Sequence, residues 1–321
     1  MIIWSKPNKA YLIVIATSIT VFTFIIWCIL PYDYSHIRRT THCDTSRRNE
    51  ERYLLFPMFT IISGSGLGNQ LFEIFSLLGM AQKLNRTAIF NKKDWFLRFR
   101  LKNVHKKIPK IAEQVETMDI EVRTPRGHIG QRSFKYFSSM ESTIREWLKP
   151  PKEEITYLET MINREDVSRH KICVHVRRGD FLTDGGHAGT EADFTIEAID
   201  YLYRMTPGVV MIFSNEQQWV KEEVLRRSTH KMDIRIMPTP HDLPFKDLYF
   251  SQVYCDTVLI TAPSSTFGWW IGYLSRNQSS VYYRDIRGMD DPVKFQMVDD
   301  DFFPEKWKKL EIFNGTVAVK L

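Results

Sequence analysis

From residue 171 to residue 284 the chain alternates short apolar runs with longer amphipathic stretches, and this alternation limits the fold more than any other feature. The runs are "KICVHV", "VVMIF", "DIRIM", "TVLIT" and "SVYYR". They are rich in β-branched residues and nearly continuous in hydrophobicity, as strands buried on both faces must be. Between them the pattern predicts helices at 191–205, from Asn215 to Arg227, up to Tyr254, and over "STFGWWIGYLS". Strands and helices in strict alternation, joined by right-handed crossovers, make a doubly wound parallel sheet. Ligands of such sheets bind beyond the carboxyl ends of the strands.

A less regular α/β unit precedes this series. "LLFPMFTIIS" reads as a strand that runs into the turn "GSGLGNQ". A helix follows over 70–84, with Leu71, Ile74, Phe75 and Leu78 on one face and Phe72, Leu77 and Met80 on the other, so it is expected to be buried. "RTAIF" is the next strand. Ser138 with Glu141 reads as a capping box opening a helix that Pro150 and Pro151 stop, and a second helix spans "EEITYLETMINRE". Residues 91–132 are irregular and basic. The expected boundary falls near residue 166, giving domains at 56–165 and 166–321.

Upstream, residues 11–30 carry no charge, and twenty helical residues span roughly 30 Å, the thickness of a bilayer core. The run is too long for the apolar core of a cleaved signal and lacks a small-x-small cleavage site after it. It reads as an uncleaved anchor, with residues 1–10 as a cytoplasmic tail and the polar residues 31–55 as a stem. Flanking charge does not decide the orientation. The sequons at Asn85, Asn277 and Asn314 all lie C-terminal to the span, which fits a lumenal domain and makes these asparagines candidate glycosylation sites. Of four cysteines, Cys28 is in the span, Cys173 reads as a core residue, and Cys43 in the stem offers an intermolecular bond and hence a homodimer. The spacing shows no disulfide framework and no zinc site. A net charge of +6, spread along the chain, fits an anionic small ligand and not nucleic acid.

The chemistry concentrates at strand ends. In "KICVHVRRGDF", His175 and Arg177 share a strand face, Arg178 begins the turn, and Gly179 lets backbone approach a ligand. Guanidinium forks match phosphate oxygens, and Asp180 is placed to orient one of them. "APSSTFGWW" opens a helix with Ser264, Ser265 and Thr266, a ready anion site, while Phe267, Trp269 and Trp270 read mainly as core. Two phosphate-suited turns on neighbouring strand ends suggest a diphosphate. "GSGLGNQ" fails the dinucleotide fingerprint at Asn69, which instead can face the cleft. Glu191 and Asp193, behind the glycine-rich loop 185–189, are candidates for acid/base work. The "VDDDF" cluster at Asp299–Asp301 follows no strong strand, and His175 and His187 lack ligand-spaced partners, so no metal is expected.

Together "GLGNQLFEIFSLLGMAQKLNRTAIF", "GQRSFKYFSSM", "VHVRRGDF", "FSNEQQWV" and "LYFSQVYCDTVLITAPSSTFGWWIGYLS" resemble, in order, the fucosyltransferase superfamily and most closely glycosyltransferase family 11, the galactoside α-1,2-fucosyltransferases. The resemblance covers most of the chain after residue 58. It implies a GT-B-like fold, two Rossmann-like domains facing a cleft, with GDP-β-L-fucose held by the C-terminal one, inversion at the anomeric carbon, and no required metal. It implies that Arg177 and Arg178 neutralise the GDP leaving group, that Ser265, Thr266 and Phe267 form the second phosphate turn, that Asn69 faces the cleft, and that Asp247 contacts the nucleoside. "GTEADF" is similar to the segment that carries the base of the α-1,6-fucosyltransferases, which makes Glu191 the candidate base. The implied setting is the Golgi membrane, with a glycan on glycoprotein or glycolipid as acceptor. The rival readings are a fucosyltransferase of another linkage, including protein O-fucosylation, and a GDP-sugar-binding or lectin-like protein without turnover.

Overall fold

A computed structural model of the chain describes residues 53–56, 58, 61, 65–91, 95–108, 110–111, 116–118, 133–238 and 243–320. The expected membrane span 11–30, the stem through residue 52 and Cys43 lie outside the described residues. Among the described residues no helix is long and apolar enough to cross a membrane.

Residues from Glu51 onward form one compact unit that contains two sheets. The smaller is parallel, in the order β1 (Tyr53–Leu55), β2 (Thr87–Asn91), β3 (Glu116–Met118). Its first strand is only three residues long and begins inside the expected stem. Helix α1 (Leu67–Lys83) links β1 to β2 and is buried on both faces, as its apolar residues require. Further on come α2 (Trp95–Lys107), α3 (Glu141–Trp147) and α4 (Lys152–Thr160). The capping box expected at Ser138 does not form. Residues 138–140 make a separate 3₁₀ turn, and the Ser138 hydroxyl bonds back to the Lys135 carbonyl. Helix α3 therefore starts at Glu141 with no side-chain cap.

The larger sheet holds β4 (Lys171–Val176), β5 (Val209–Ser214), β6 (Ile234–Ile236), β7 (Thr257–Ile260), β8 (Val281–Arg284), β9 (Lys308–Phe313) and β10 (Thr316–Val319). Their order is β6-β5-β4-β7-β8-β9-β10, parallel except for β10. "SVYYR" therefore does not close the sheet. The series continues through β9 and turns back at Asn314-Gly315 into an antiparallel edge, so the sheet is mixed. Alternation along the strands sends Cys173, Met211, Val258 and Ile260 to one core, and Ile172, Val174, Ile212 and Leu259 to the other. The second core is covered by α5 (Ala192–Met205) and the helical segment 217–225, whose last six residues are π-helical. The first is shared with the N-terminal half through α6 (Phe245–Tyr254) and α7 (Thr266–Leu274).

Cys173 is buried in β4 as expected, yet it is not a free thiol. It forms a disulfide with Cys255, 82 residues later, at the end of α6. The spacing of the cysteines left this pairing open, because it depends on β4 and β7 being neighbours in the sheet, a fact of strand order that the chain's spacing does not reveal.

Candidate active site

Chain order and spatial order part company between β4 and β7. From β4 the chain adds β5 and β6 on one side, then returns to add β7, β8 and β9 on the other. Such a switch point leaves a crevice at the carboxyl ends of the two central strands. The turns after β4 and β7 are the ones that carry Arg177 and Ser264–Thr266. A buried ladder ties them together: the Thr190 hydroxyl meets that of Thr261 at 2.8 Å, and Thr261 donates to the His175 carbonyl at 2.7 Å.

The resulting cleft encloses about 530 Å³. Asn69, His175, Arg177, Asp180, Asp247, Ser264, Ser265, Thr266 and Phe267, all singled out from the sequence, line it. Asp247 reaches it from the first turn of α6, and Gly66, Leu67 and Gly68 close it from the start of α1. Gly68 is fixed by contact, since a Cβ there would stand 2.6 Å from the backbone nitrogen of Phe267. The Trp270 indole donates to the Gly68 carbonyl at 3.0 Å, and Thr266 Oγ1 donates to Asn69 Oδ1 at 2.9 Å. Trp269 and Trp270 are fully buried, while Phe267 is only partly so and faces the cleft.

The two arginines separate. Asp180 accepts from Arg177 Nη2 at 2.6 Å and holds its guanidinium over the cleft, where the buried Nε has no hydrogen-bond partner. Arg178 does not line the cleft. Its Nη1 donates to the Thr190 carbonyl at 2.6 Å, its guanidinium lies 4.1 Å from the Trp219 ring centre, and Glu216 stands 3.6 Å from Nε. The two side chains expected to share one ligand are thus placed apart, Arg177 lining the cleft and Arg178 packed beside it. Gly179, at φ +46°, turns the chain at once, and the side chains on either side of the strand's end diverge. A Cβ at Gly179 would stand 2.7 Å from the Asn215 amide, so the turn accepts only glycine.

The hydroxyls of the second turn are committed inside the protein. Ser264 donates to Asp291 at 2.7 Å, Ser265 caps the Gly268 N–H at 3.3 Å, and Thr266 serves Asn69. What this turn presents to a ligand is therefore the N–H groups of Thr266 and Phe267, the first of α7, which have no acceptor within their helix. His175 is buried beneath it. Burial, then the Arg177 charge, pushes its pKa down to about 3, so the ring is neutral.

Glu191 is not brought to the cleft. It stands at the N-cap of α5, half-exposed, with Oε2 accepting from Arg284 Nη2 at 2.8 Å. Asp193 is exposed and pairs with Arg227. Asp299 pairs with Arg287 and Lys309, and Asp301 with Lys135. Asn85, Asn277 and Asn314 are all exposed. Among the cleft residues that sequence reasoning missed are Phe181, Asp184 and Asn215, and it passed over His187. Asp291, behind Ser264, is 27 residues from its partner, and no local pattern announces the pairing.

A mixed, largely parallel sheet whose switch point gathers a guanidinium and a helix N-terminus defines an α/β protein with a cleft whose electrostatics favour an anion. The chain belongs to glycosyl transferase family 11, whose profile matches residues 40–311, and it is a glycosyltransferase. It is similar to a "Galactoside 2-alpha-L-fucosyltransferase" of Caenorhabditis elegans, 46% identical over 94% of this chain and 95% of that one. A second protein of that name and organism is 34% identical over 85% and 81%. A crystal structure of NodZ α-1,6-fucosyltransferase soaked with GDP-fucose aligns over 70% of this chain and 93% of its own, with a TM-score of 0.39 and 14% identity. At that distance the likeness carries no weight for the site.

Proposed function

We propose that this chain transfers L-fucose from GDP-β-L-fucose to the 2-hydroxyl of a β-galactoside, with inversion and without a required metal. Fucose transfer in α-1,2 linkage follows from family membership and from the near full-length likeness to two galactoside 2-α-L-fucosyltransferases. The observation that carries the donor is the convergence of Arg177 and the N-terminus of α7 in one cleft. Both stabilise negative charge, and charge grows on the diphosphate as the bond to fucose breaks. Asp180 orients Arg177, and Asp247, which lines the same cleft, is read as the nucleoside contact. The two sheets are read as the halves of a GT-B-like arrangement.

The setting follows the same reading. The apolar span 11–30 anchors a type II Golgi protein, the exposed sequon asparagines Asn85, Asn277 and Asn314 carry glycans, and Cys43 links a homodimer. The Cys173–Cys255 disulfide supports an oxidising, lumenal environment.

The test uses the full-length chain in detergent, a panel of sugar nucleotides, and β-galactoside acceptors. A deoxyhexose gained only from GDP-fucose, with methylation analysis placing it on the galactose 2-position, is the expected outcome. Activity is expected to persist in excess EDTA. Transfer from another sugar nucleotide, or loss of activity restored by manganese, overturns the reading at the donor or at the metal.

A further inference from the structure

A second groove lies beside the cleft and shares His187 with it. It encloses about 430 Å³, and Ser133, Gly186, Pro292, Gln296 and Asp301 are among its other lining residues. A sugar transferred to a hydroxyl needs that hydroxyl beside the anomeric carbon, so an acceptor in the second groove would meet a donor in the first at the shared side chain.

His187 is held there in a defined way. Its ring stacks on Phe181 with centroids 4.3 Å apart, and Phe181 in turn lies 5.6 Å from the Arg177 guanidinium carbon. His187 Nδ1 stands 3.2 Å from Ser264 Oγ. Ser264 is buried, and its single proton goes to Asp291 Oδ2 at 2.7 Å. Asp291 is fully buried and also accepts the N–H groups of Ala188 at 3.1 Å and Val293 at 2.9 Å. With its proton committed, Ser264 offers His187 only a lone pair. Nδ1 must then carry the imidazole hydrogen, which leaves the lone pair on Nε2. Nε2 faces the open side, 3.9 Å from Asp184 Oδ2.

We infer that His187 is the general base of the transfer, set in its Nδ1–H tautomer by Ser264 and Asp291, and that the second groove receives the galactoside acceptor. This rests on reading the chain as an inverting fucosyltransferase. The acceptor oxygen attacks the fucose anomeric carbon, and the bond from that carbon to the diphosphate breaks with its electron pair leaving on GDP. The hydroxyl proton passes to His187 Nε2, and the imidazolium formed is stabilised by Asp184 until it releases the proton to water. The charged groups around the ring are Asp184 on its open side, Asp291 behind Ser264, the Arg177–Asp180 pair across Phe181, and Asp301 in the second groove. Ser264 and Asp291 act through His187 and are positioning residues.

The experiment follows kcat against pH for the full-length enzyme and its variants, with GDP affinity measured separately. His187→Gln is expected to lower kcat by about 10²–10⁴-fold and to remove the acid limb of the profile, with GDP affinity little changed. Added imidazole is expected to restore part of the activity of His187→Ala, and Ser264→Ala is expected to give a smaller loss in kcat with a displaced acid limb. The exposed Gln296→Ala should raise KM for the galactoside about 2–10-fold and leave KM for GDP-fucose unchanged. Wild-type turnover in His187→Gln, or disappearance of the acid limb in Glu191→Gln and not in His187→Gln, overturns the assignment of the base. An unchanged galactoside KM in Gln296→Ala overturns that of the groove. If the wild-type chain transfers no fucose, the functional reading fails instead, so the two failures are told apart.

Discussion

Arg177 and Arg178 are joined by one peptide bond and have different work. Arg177 stands over the cleft with Asp180 at 2.6 Å, whereas Arg178 braces the turn against Trp219 and the Thr190 carbonyl. Arg177→Ala is therefore expected to abolish GDP binding by calorimetry while leaving the melting temperature within a few degrees. Arg178→Ala is expected to lose about 2 kcal/mol of stability in chemical denaturation, from a cation–π contact and a charged hydrogen bond. The doublet was legible in sequence as an anion site. Its division of labour was not, because which guanidinium reaches solvent depends on packing against Trp219, 41 residues away. His175 adds a pH dependence. Its folded pKa of about 3 lies below the ordinary 6.5, so below pH 6.5 the unfolded chain takes up a proton that the folded chain refuses. Stability present at neutral pH is lost as pH falls through that interval, by about 2 kcal/mol at pH 5 from this ring. A denaturation series between pH 7 and pH 5 checks it, with a flatter curve expected for His175→Gln.

At the scale of elements, the cleft is closed where α1 and α7 pack against each other with their N-terminal ends in contact. Gly68 brings the start of α1 onto the backbone of Thr266 and Phe267, and Trp270 reaches back to the Gly68 carbonyl. At the other end of α7 the Arg145 guanidinium of α3 donates to the carbonyls of Tyr273 at 2.5 Å and Leu274 at 2.9 Å, closing its C-terminus. Gly68→Ala has rigid backbone to displace, so it is expected to cost about 1–3 kcal/mol and to weaken GDP binding as well. Thermal melts with and without GDP read both effects. The helices themselves were plain in the sequence from their periodicity. Their meeting was not, since Gly68 and Thr266 are about 200 residues apart and a glycine next to an asparagine has many uses.

Over the whole molecule, the two sheets share one core. Phe72, Phe75 and Phe137 of the N-terminal half interleave with Trp269, Trp270 and Tyr273 of the C-terminal half at ring separations of 4.6–6.1 Å. The expected boundary near residue 166 is clamped. Asp166 is fully buried between Arg169 and Arg235, each at 2.9 Å, and the Lys171 ammonium donates to three carbonyls. An interface this apolar argues against independent domains. Unfolding by denaturant is expected to show a single transition when followed by both tryptophan fluorescence and far-ultraviolet dichroism. The Cys173–Cys255 bond closes a long loop, so its removal by Cys173→Ala with Cys255→Ala should cost roughly 2–4 kcal/mol without changing the fold.

Local physics determined much of this protein in advance. Hydrophobic period separates strand from helix, glycines and hydroxyls mark the turns, and residue chemistry names an anion site at the strand ends. These properties are read within a few residues of one another, and the sequence carries them directly. The order of the strands, the disulfide, the separation of Arg177 from Arg178, the withdrawal of Glu191 to Arg284 and the alignment of His187, Ser264 and Asp291 were decided only by tertiary structure. Each joins residues distant along the chain, and such pairings are chosen by the packing of the whole core, which no local window contains.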